Sequence, residues 1–522
     1  MSLSTNLLFV LDTTLRAGAW TPASYEVLFT NPVCPQQKIV AYRPRNPPPQ
    51  TYMTAEGPVK ISPDRDDVPA VPVESDGIPT LGGGRRRTIP ANIYCDQNDF
   101  EASTLRAADN PYRKTDSPIH RIQDWIQSTT RGDELFIASF SFSMASVANW
   151  TCDAARRGVR VKVFMHEPEF GSDAFETIRQ CPGIELLQFQ NKGRLAHFKS
   201  IVIVSKDTDQ VRISFQSGNI SSGTWGHHEN WNFVTQSRQH WFSQDHICLR
   251  DAINAETIGN MGLLYEQLDQ CRTDHGVDVA RAQDPYMQDY FIPKTGGRYD
   301  DRKELDKIVG EVEHASEVWI AAHHMTEPDL IRALIRKLQN NPDFKVKMLI
   351  DSELFWSSYR DPVGQGLTWK VDGKVFGESD SLTSYCLWGL TEAQARDVQC
   401  SLFNWGAFHA EYSPHALQKA GADLRFIESN HLSKLLFHNK FIIFQYASPE
   451  NGMEGSVFTG AGNLTKAGFD KNFENYYWVR IPHVYEAFRQ QFTMLFDKAA
   501  MEKDLPITWD FRTVDDGLKA YP

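Results

Sequence analysis

Two stretches of the chain repeat one order of polar residues, 241 positions apart at the first His. Ala196 to Val234 reads AHFKSIVIVSKDTDQVRISFQSGNISSGTWGHHENWNFV, and Phe437 to Val479 reads FHNKFIIFQYASPENGMEGSVFTGAGNLTKAGFDKNFENYYWV. His197, Lys199, Asn219, Glu229 and Asn230 are answered by His438, Lys440, Asn463, Glu474 and Asn475. Asn follows His by 22 residues in one copy and 25 in the other, and Glu follows Asn by 10 and 11. Apolar runs after each Lys (Ser200 to Val204, Phe441 to Phe444) predict strands, and a second strand-like run precedes each Asn. Residues two apart in a strand face the same way, so each imidazole shares a face with an ammonium. Gly218, and Gly460 with Gly462, flank the Asn residues. Lacking Cβ atoms, they would let the backbone approach an anionic ligand.

The flanking elements repeat as well. Glu134 to Phe140 and Val159 to Met165 predict strands around a helix at Ala145 to Arg157. Glu317 to Ala322, a helix over Asp329 to Asn340, and Phe344 to Ile350 repeat that βαβ unit. A further strand-like run follows in each copy, IELLQF at Ile184 and LRFIE at Leu424, shortly before the H-x-K. The offset between copies grows from 183 residues at the first strand to 241 at the His, which places an insertion within Ser352 to Gly421. That insert carries Trp356, Trp369, Trp388 and Trp405. A segment of this kind forms either a binding loop or lid, or a satellite subdomain with its own core.

With two H-x-K pairs, each followed by Asn and Glu, the chain resembles the phospholipase D superfamily, whose hallmark is a duplicated H-x-K-x4-D motif, a G-S-x-N-like element and a Glu. The Asp positions hold Val204 and Gln445, a loss similar to that in the tyrosyl-DNA phosphodiesterase branch. Ser217 stands before Gly218 and Asn219, but its counterpart is Ala461. The resemblance spans residues 115 to 500 and implies an α/β fold: two similar halves packed as a pseudo-twofold pair with one shared active site. The expected organisation is an N-terminal extension over 1–114, a first half over 115–272, a linker over 273–300, and a second half over 301–522 with the aromatic insert near 352–421. Residues 42 to 92, rich in Pro, Gly and charge, are expected to be loop-like.

Neither half holds both a nucleophile and an acid, so the two H-x-K faces should meet around one phosphate. One imidazole attacks phosphorus and holds a covalent phosphohistidine; the other protonates the leaving oxygen and later activates water. Lys199, Lys440, Asn219 and Asn463 would stabilise the non-bridging oxygens, so neither a metal nor another cofactor is required. Glu229 and Glu474 are the expected acceptors of the second ring N–H. Spacing does not say which His attacks; the resemblance implies His197 as nucleophile and His438 as acid. Ser217, His228 and His324 are candidate substrate-binding residues.

A net charge of −12 argues against a surface that coats a polyanion. The insert has five cations (Arg360, Lys370, Lys374, Arg396, Lys419) against eight acidic residues. Aromatics in an acidic surround suit an apolar tail or a quaternary ammonium head group, although base stacking on the same rings is the rival. A glycerophospholipid is therefore favoured over nucleic acid, with hydrolysis of its head group as the reaction. A nuclease or DNA-adduct phosphodiesterase is the alternative. No run of eighteen apolar residues predicts a transmembrane segment, which leaves transient contact with a membrane surface. The Leu7 to Leu11 run lacks a basic flank and is too brief for a signal peptide. Eight cysteines without metal spacing permit up to four disulfides, which suits an exported protein, periplasmic or secreted; buried free thiols fit equally well.

Overall fold

The computed structural model describes residues 20–21, 24–30, 118–166, 172–189, 194–221, 224, 227–292, 302–351, 414–427, 436–450 and 453–501, with short strands at 39–43, 50–54, 57–61, 85–89, 369–371 and 374–376. Two α/β sheets share one strand order. The first runs Tyr25–Thr30, His227–Ser237, Gln210–Gln216, Ser200–Val204, Glu134–Ser139, Arg160–His166, Ile184–Phe189. The second runs Met287–Ile292, Glu474–Val479, Met453–Gly460, Lys440–Glu450, Glu317–Ala322, Lys345–Asp351, Asp423–Ile427, Ala500–Met501. In both, the strand after the H-x-K lies antiparallel to the first strand of the βαβ unit, which pairs in parallel with the next.

The Lys-linked strands read as unbroken apolar runs because both of their faces are buried. Val202 and Val204 enter a central core, while Ile201 and Ile203 enter an outer one. Phe441 and Ile443 face the same central core, and Ile442 and Phe444 the opposite outer one. The central core also takes in residues of the helices Trp241–Ala252, Met261–Asp274 and Pro482–Lys498, so both sheets back onto shared helices. Helices Pro118–Gln127, Ala145–Arg156 and Asp173–Gln180 cover the outside of the first sheet; Lys303–His314 and Pro328–Asn340 cover the second.

Each sheet takes a strand from a segment with little sequence signal. Tyr25–Thr30, from the N-terminal extension, pairs antiparallel with the Glu229 strand, and Thr30 lies opposite Glu229. Met287–Ile292, within the 273–300 stretch, pairs likewise with the other Glu strand, and Ile292 lies opposite Glu474. Residues 42–92 are not wholly loop-like: Ile39–Arg43 pairs with Arg85–Ile89, and Gln50–Thr54 with Gly57–Ile61. Disulfides Cys152–Cys181 and Cys248–Cys271 tie helices of the first half together; Cys34, Cys95, Cys386 and Cys400 lie outside the described residues.

Charged groups are buried where the halves meet. Arg272 donates to both oxygens of Asp245 at 2.7 and 3.0 Å, and Arg281 bridges Asp245 and Asp289 at 3.0 and 3.2 Å. Asp289 belongs to the edge strand of the second sheet, whereas Asp245 lies on a helix that follows the first. Burial pushes the Asp245 carboxyl up, but the two arginines outweigh it and hold it at about 2.

His246 lies on the same seam. Its Nδ1–H donates to the Phe242 carbonyl at 2.8 Å, so Nε2 accepts from the Tyr477 hydroxyl at 2.9 Å. Burial holds its pKa down at about 4. The unfolded chain therefore takes up a proton between pH 6.5 and 4 that the native imidazole refuses. The contribution is complete above pH 6.5 and is lost as pH falls, about 3 kcal/mol by pH 4. The urea midpoint is expected to drop between pH 7.5 and 4.5, and the drop should shrink in His246→Gln. An equal drop in both proteins would show that another group titrates.

Candidate active site

Each H-x-K segment is held by the opposite half. The His197 N–H donates to the Phe473 carbonyl at 2.8 Å, and the His438 N–H to the His228 carbonyl at 3.0 Å. Phe473 and His228 immediately precede the two glutamates, so this backbone pairing delivers each carboxylate to the other half's imidazole. His197 Nδ1 lies 2.7 Å from Glu474 Oε2, and His438 Nδ1 lies 2.8 and 2.9 Å from the Glu229 oxygens. The next residue in each strand completes the crossing. Asn475 Oδ1 accepts from the Lys199 N–H at 3.0 Å, and Asn230 Oδ1 from the Lys440 N–H at 3.3 Å. Asn230 and Asn475 stand out in the repeat, yet spacing alone gives no sign that they act as clamps across the seam.

Both lysines are buried and donate to the carbonyl of their own His, at 3.2 Å for Lys199 and 3.0 Å for Lys440. Burial pulls the Lys199 pKa well below the usual ammonium range, and it pushes Glu474 up to about 8 against the pull of Lys199. Burial, then the lysine charges, hold both His197 and His438 well below 6.5. Burial first, and the lysine charges after it, disfavour protonated imidazoles here, and a bound phosphodiester anion would favour them. Asn219 Oδ1 and Asn463 Oδ1, at matching positions, are buried and have no hydrogen-bond partner among the described residues. A half-turn of either amide would present its NH2 group to an anion in the same place.

The glycines do other work than expected. A Cβ on Gly218 would meet Thr224 and Trp231, and one on Gly460, where φ is +154°, would meet the Asn475 backbone. They allow the Asn turns to pack against the Glu strands, so the backbone approach they permit is to protein. Ser217 likewise turns inward: its hydroxyl donates to Glu229 Oε2 at 2.6 Å. His228 is buried with its ring 5.9 Å from Phe437, and His324 lies 4.0 Å from His323, centroid to centroid.

Counting along the repeats exposes three pairs of substitutions around the dyads. Phe140 and His323 each follow the first strand and lie against their own half's His, with centroids 5.3 and 4.9 Å away. His166 and Asp351 end the next strand, and each accepts from the backbone N–H preceding that His, from Ala196 at 3.4 Å and from Phe437. His227 and Asn472 stand two residues before the glutamates. Asn472 Nδ2 donates to Glu474 Oε1 at 3.2 Å, and His227 Nδ1 lies 3.4 Å from Glu229 Oε1. The site is therefore doubled in backbone but uneven in chemistry, with His438 in much the richer imidazole surround.

Two carboxylate-held imidazoles with two buried lysines, at the seam of two like α/β halves, form an arrangement suited to a phosphodiester. Residues 311–496 match the sequence profile of the family described as "Cardiolipin synthase, PLD-like domain". The first half lies outside that match and carries the same strand order and H-x-K motif, so the phospholipase D-like arrangement recurs in both halves. Three solved structures are similar at low identity. Phosphatidylserine synthase from Haemophilus influenzae Rd KW20 is 12% identical with a TM-score of 0.43, over 76% of this chain and 88% of its own. Polyphosphate kinase from Porphyromonas gingivalis is 12% identical with a TM-score of 0.40, over 74% of this chain but only 46% of the kinase. Yeast tyrosyl-DNA phosphodiesterase is 10% identical with a TM-score of 0.37, over 69% and 85%. No curated protein matches the chain.

Proposed function

We propose that the chain hydrolyses glycerophospholipid head groups through a phosphohistidine. The observation that carries the chemistry is the crossed pair of dyads with its two buried lysines. With Glu474 Oε2 accepting from its ring, His197 keeps its proton on Nδ1 and offers the Nε2 lone pair to phosphorus. The P–N bond forms as the P–O bond to the head group breaks, and His438 gives the leaving oxygen its proton. His438 then takes a proton from water, whose oxygen displaces His197 and regenerates both rings. Lys199, Lys440, Asn219 and Asn463 carry the charge on the non-bridging oxygens, a role that needs no metal. Glu229 and Glu474 hold the rings, and Ser217 holds Glu229.

Lipid is favoured by the family description at residues 311–496 and by the acidic, Trp-rich composition of the 352–421 insert, most of which lies outside the described residues. Mixed phospholipid vesicles containing phosphatidylcholine, assayed beside single-stranded DNA, decide the class. Release of the head-group alcohol is the expected result. Intact vesicles together with salt-sensitive cleavage of the DNA would replace the lipid with a nucleic acid and leave the superfamily assignment standing.

A further inference from the structure

The two dyads differ in what stands beside the carboxylate, and that difference bears on a metal. His227 lies two residues before Glu229 on one extended strand, so both side chains share a face. One ligand atom each from His227, Glu229 and His438 falls within 4.8 Å of the others. His227 Nδ1 is 3.4 Å from Glu229 Oε1, and His438 Nδ1 is 2.8 Å from the same oxygen. Tetrahedral zinc with bonds of about 2.0–2.1 Å sets its ligand atoms roughly 3.4 Å apart, so one edge is already in place and small side-chain rotations supply the rest. Glu229 is fully buried, whereas the His227 side chain keeps 18% exposure, enough for an ion to enter and for water to serve as the fourth ligand. In the other dyad Asn472 takes the place of His227 and donates an amide N–H to Glu474. An amide NH2 is no zinc ligand, so the pseudo-twofold supplies its own metal-free control.

We propose that His227, Glu229 and His438 form a binding site for Zn²⁺, and that the bound ion switches the enzyme off. Binding does not depend on the proposed reaction; the switch rests on the reading of His438 as a proton carrier. An imidazole with metal on Nδ1 keeps its remaining proton on Nε2 and has no lone pair left to become imidazolium. His438 can then no longer alternate between acid and base, and Glu229, shared with the ion, no longer orients it alone. Turnover needs no metal under this scheme, and the ion acts only against it.

The test uses the full chain stripped by chelator and titrated with Zn²⁺ alone. The wild type is expected to bind one equivalent, and His227→Asn, which installs the side chain already used in the twin dyad, to bind at least tenfold more weakly. Metal-free turnover of His227→Asn should stay within about twofold of wild type, its zinc inhibition should weaken in step with binding, and EDTA should restore the inhibited wild type. A Co²⁺ titration, read by the visible absorption of four-coordinate cobalt, reports the site independently of activity and should lose its signal in the variant. Equal affinity in both proteins, or no stoichiometric binding to wild type, would overturn the site. Stoichiometric binding that His227→Asn abolishes but that leaves turnover intact would uphold the site and overturn the proton-carrying role of His438.

Discussion

The His197→Ala protein is expected to lose phosphodiester turnover by roughly 10⁴- to 10⁶-fold and to form no covalent adduct, because the attacking nitrogen is gone. His438→Asn should behave differently. With a p-nitrophenyl ester the leaving group needs no proton, so attack by His197 continues, while the phosphohistidine accumulates for want of a base to activate water. Acid quench and mass spectrometry of the two variants distinguish the roles. An adduct on His438 in the His197→Ala protein would exchange them. The uneven surround gives the two rings reason to differ: His438 lies against His323, whereas His197 lies against Phe140.

Asp245→Ala is expected to cost about 3–5 kcal/mol of stability, since it strands buried Arg272 without its bidentate partner. The outcome should lie toward the lower figure. Burial and the neighbouring Asp245 charge push the Asp289 carboxyl up, so removing Asp245 lets Asp289 ionise and serve Arg281. Urea unfolding at pH 7 measures the loss, and a change under about 1 kcal/mol would mean that solvent reaches both guanidinium groups. The break would fall on the seam, because Asp289 sits at the edge of the second sheet and Asp245 on a helix packed beneath the first.

Much of this architecture is legible from the repeat. The strand at Glu317–Ala322 matches its apolar run residue for residue, because a strand buried on both faces reads as an unbroken apolar segment. Tyr25–Thr30 and Met287–Ile292 escape the same reading. They are edge strands with mixed burial, and their place depends on partners some 200 residues away that no local pattern reveals. The site residues are legible as a set, but their pairing is not. A Glu ten residues after Asn reads equally well as the partner of either His, and only the backbone bonds through Phe473 and His228 decide for the opposite half. His227 and His323 stand out in the sequence by their places beside Glu229 and at the end of a strand, but their counterparts Asn472 and Phe140 emerge only when each repeat is counted against the other.

The exchange of carboxylates between halves has a consequence for the chain while it is being made. The first half leaves the ribosome with His197 in place and its Glu474 still untranslated, so the imidazole has no acceptor to set its tautomer. Glu229 waits in the same way for His438. Neither ring has its carboxylate until both sheets have closed on their shared helices, so the two dyads are completed in one event and a chain that folds only part-way holds neither. Assembly itself thus completes the site.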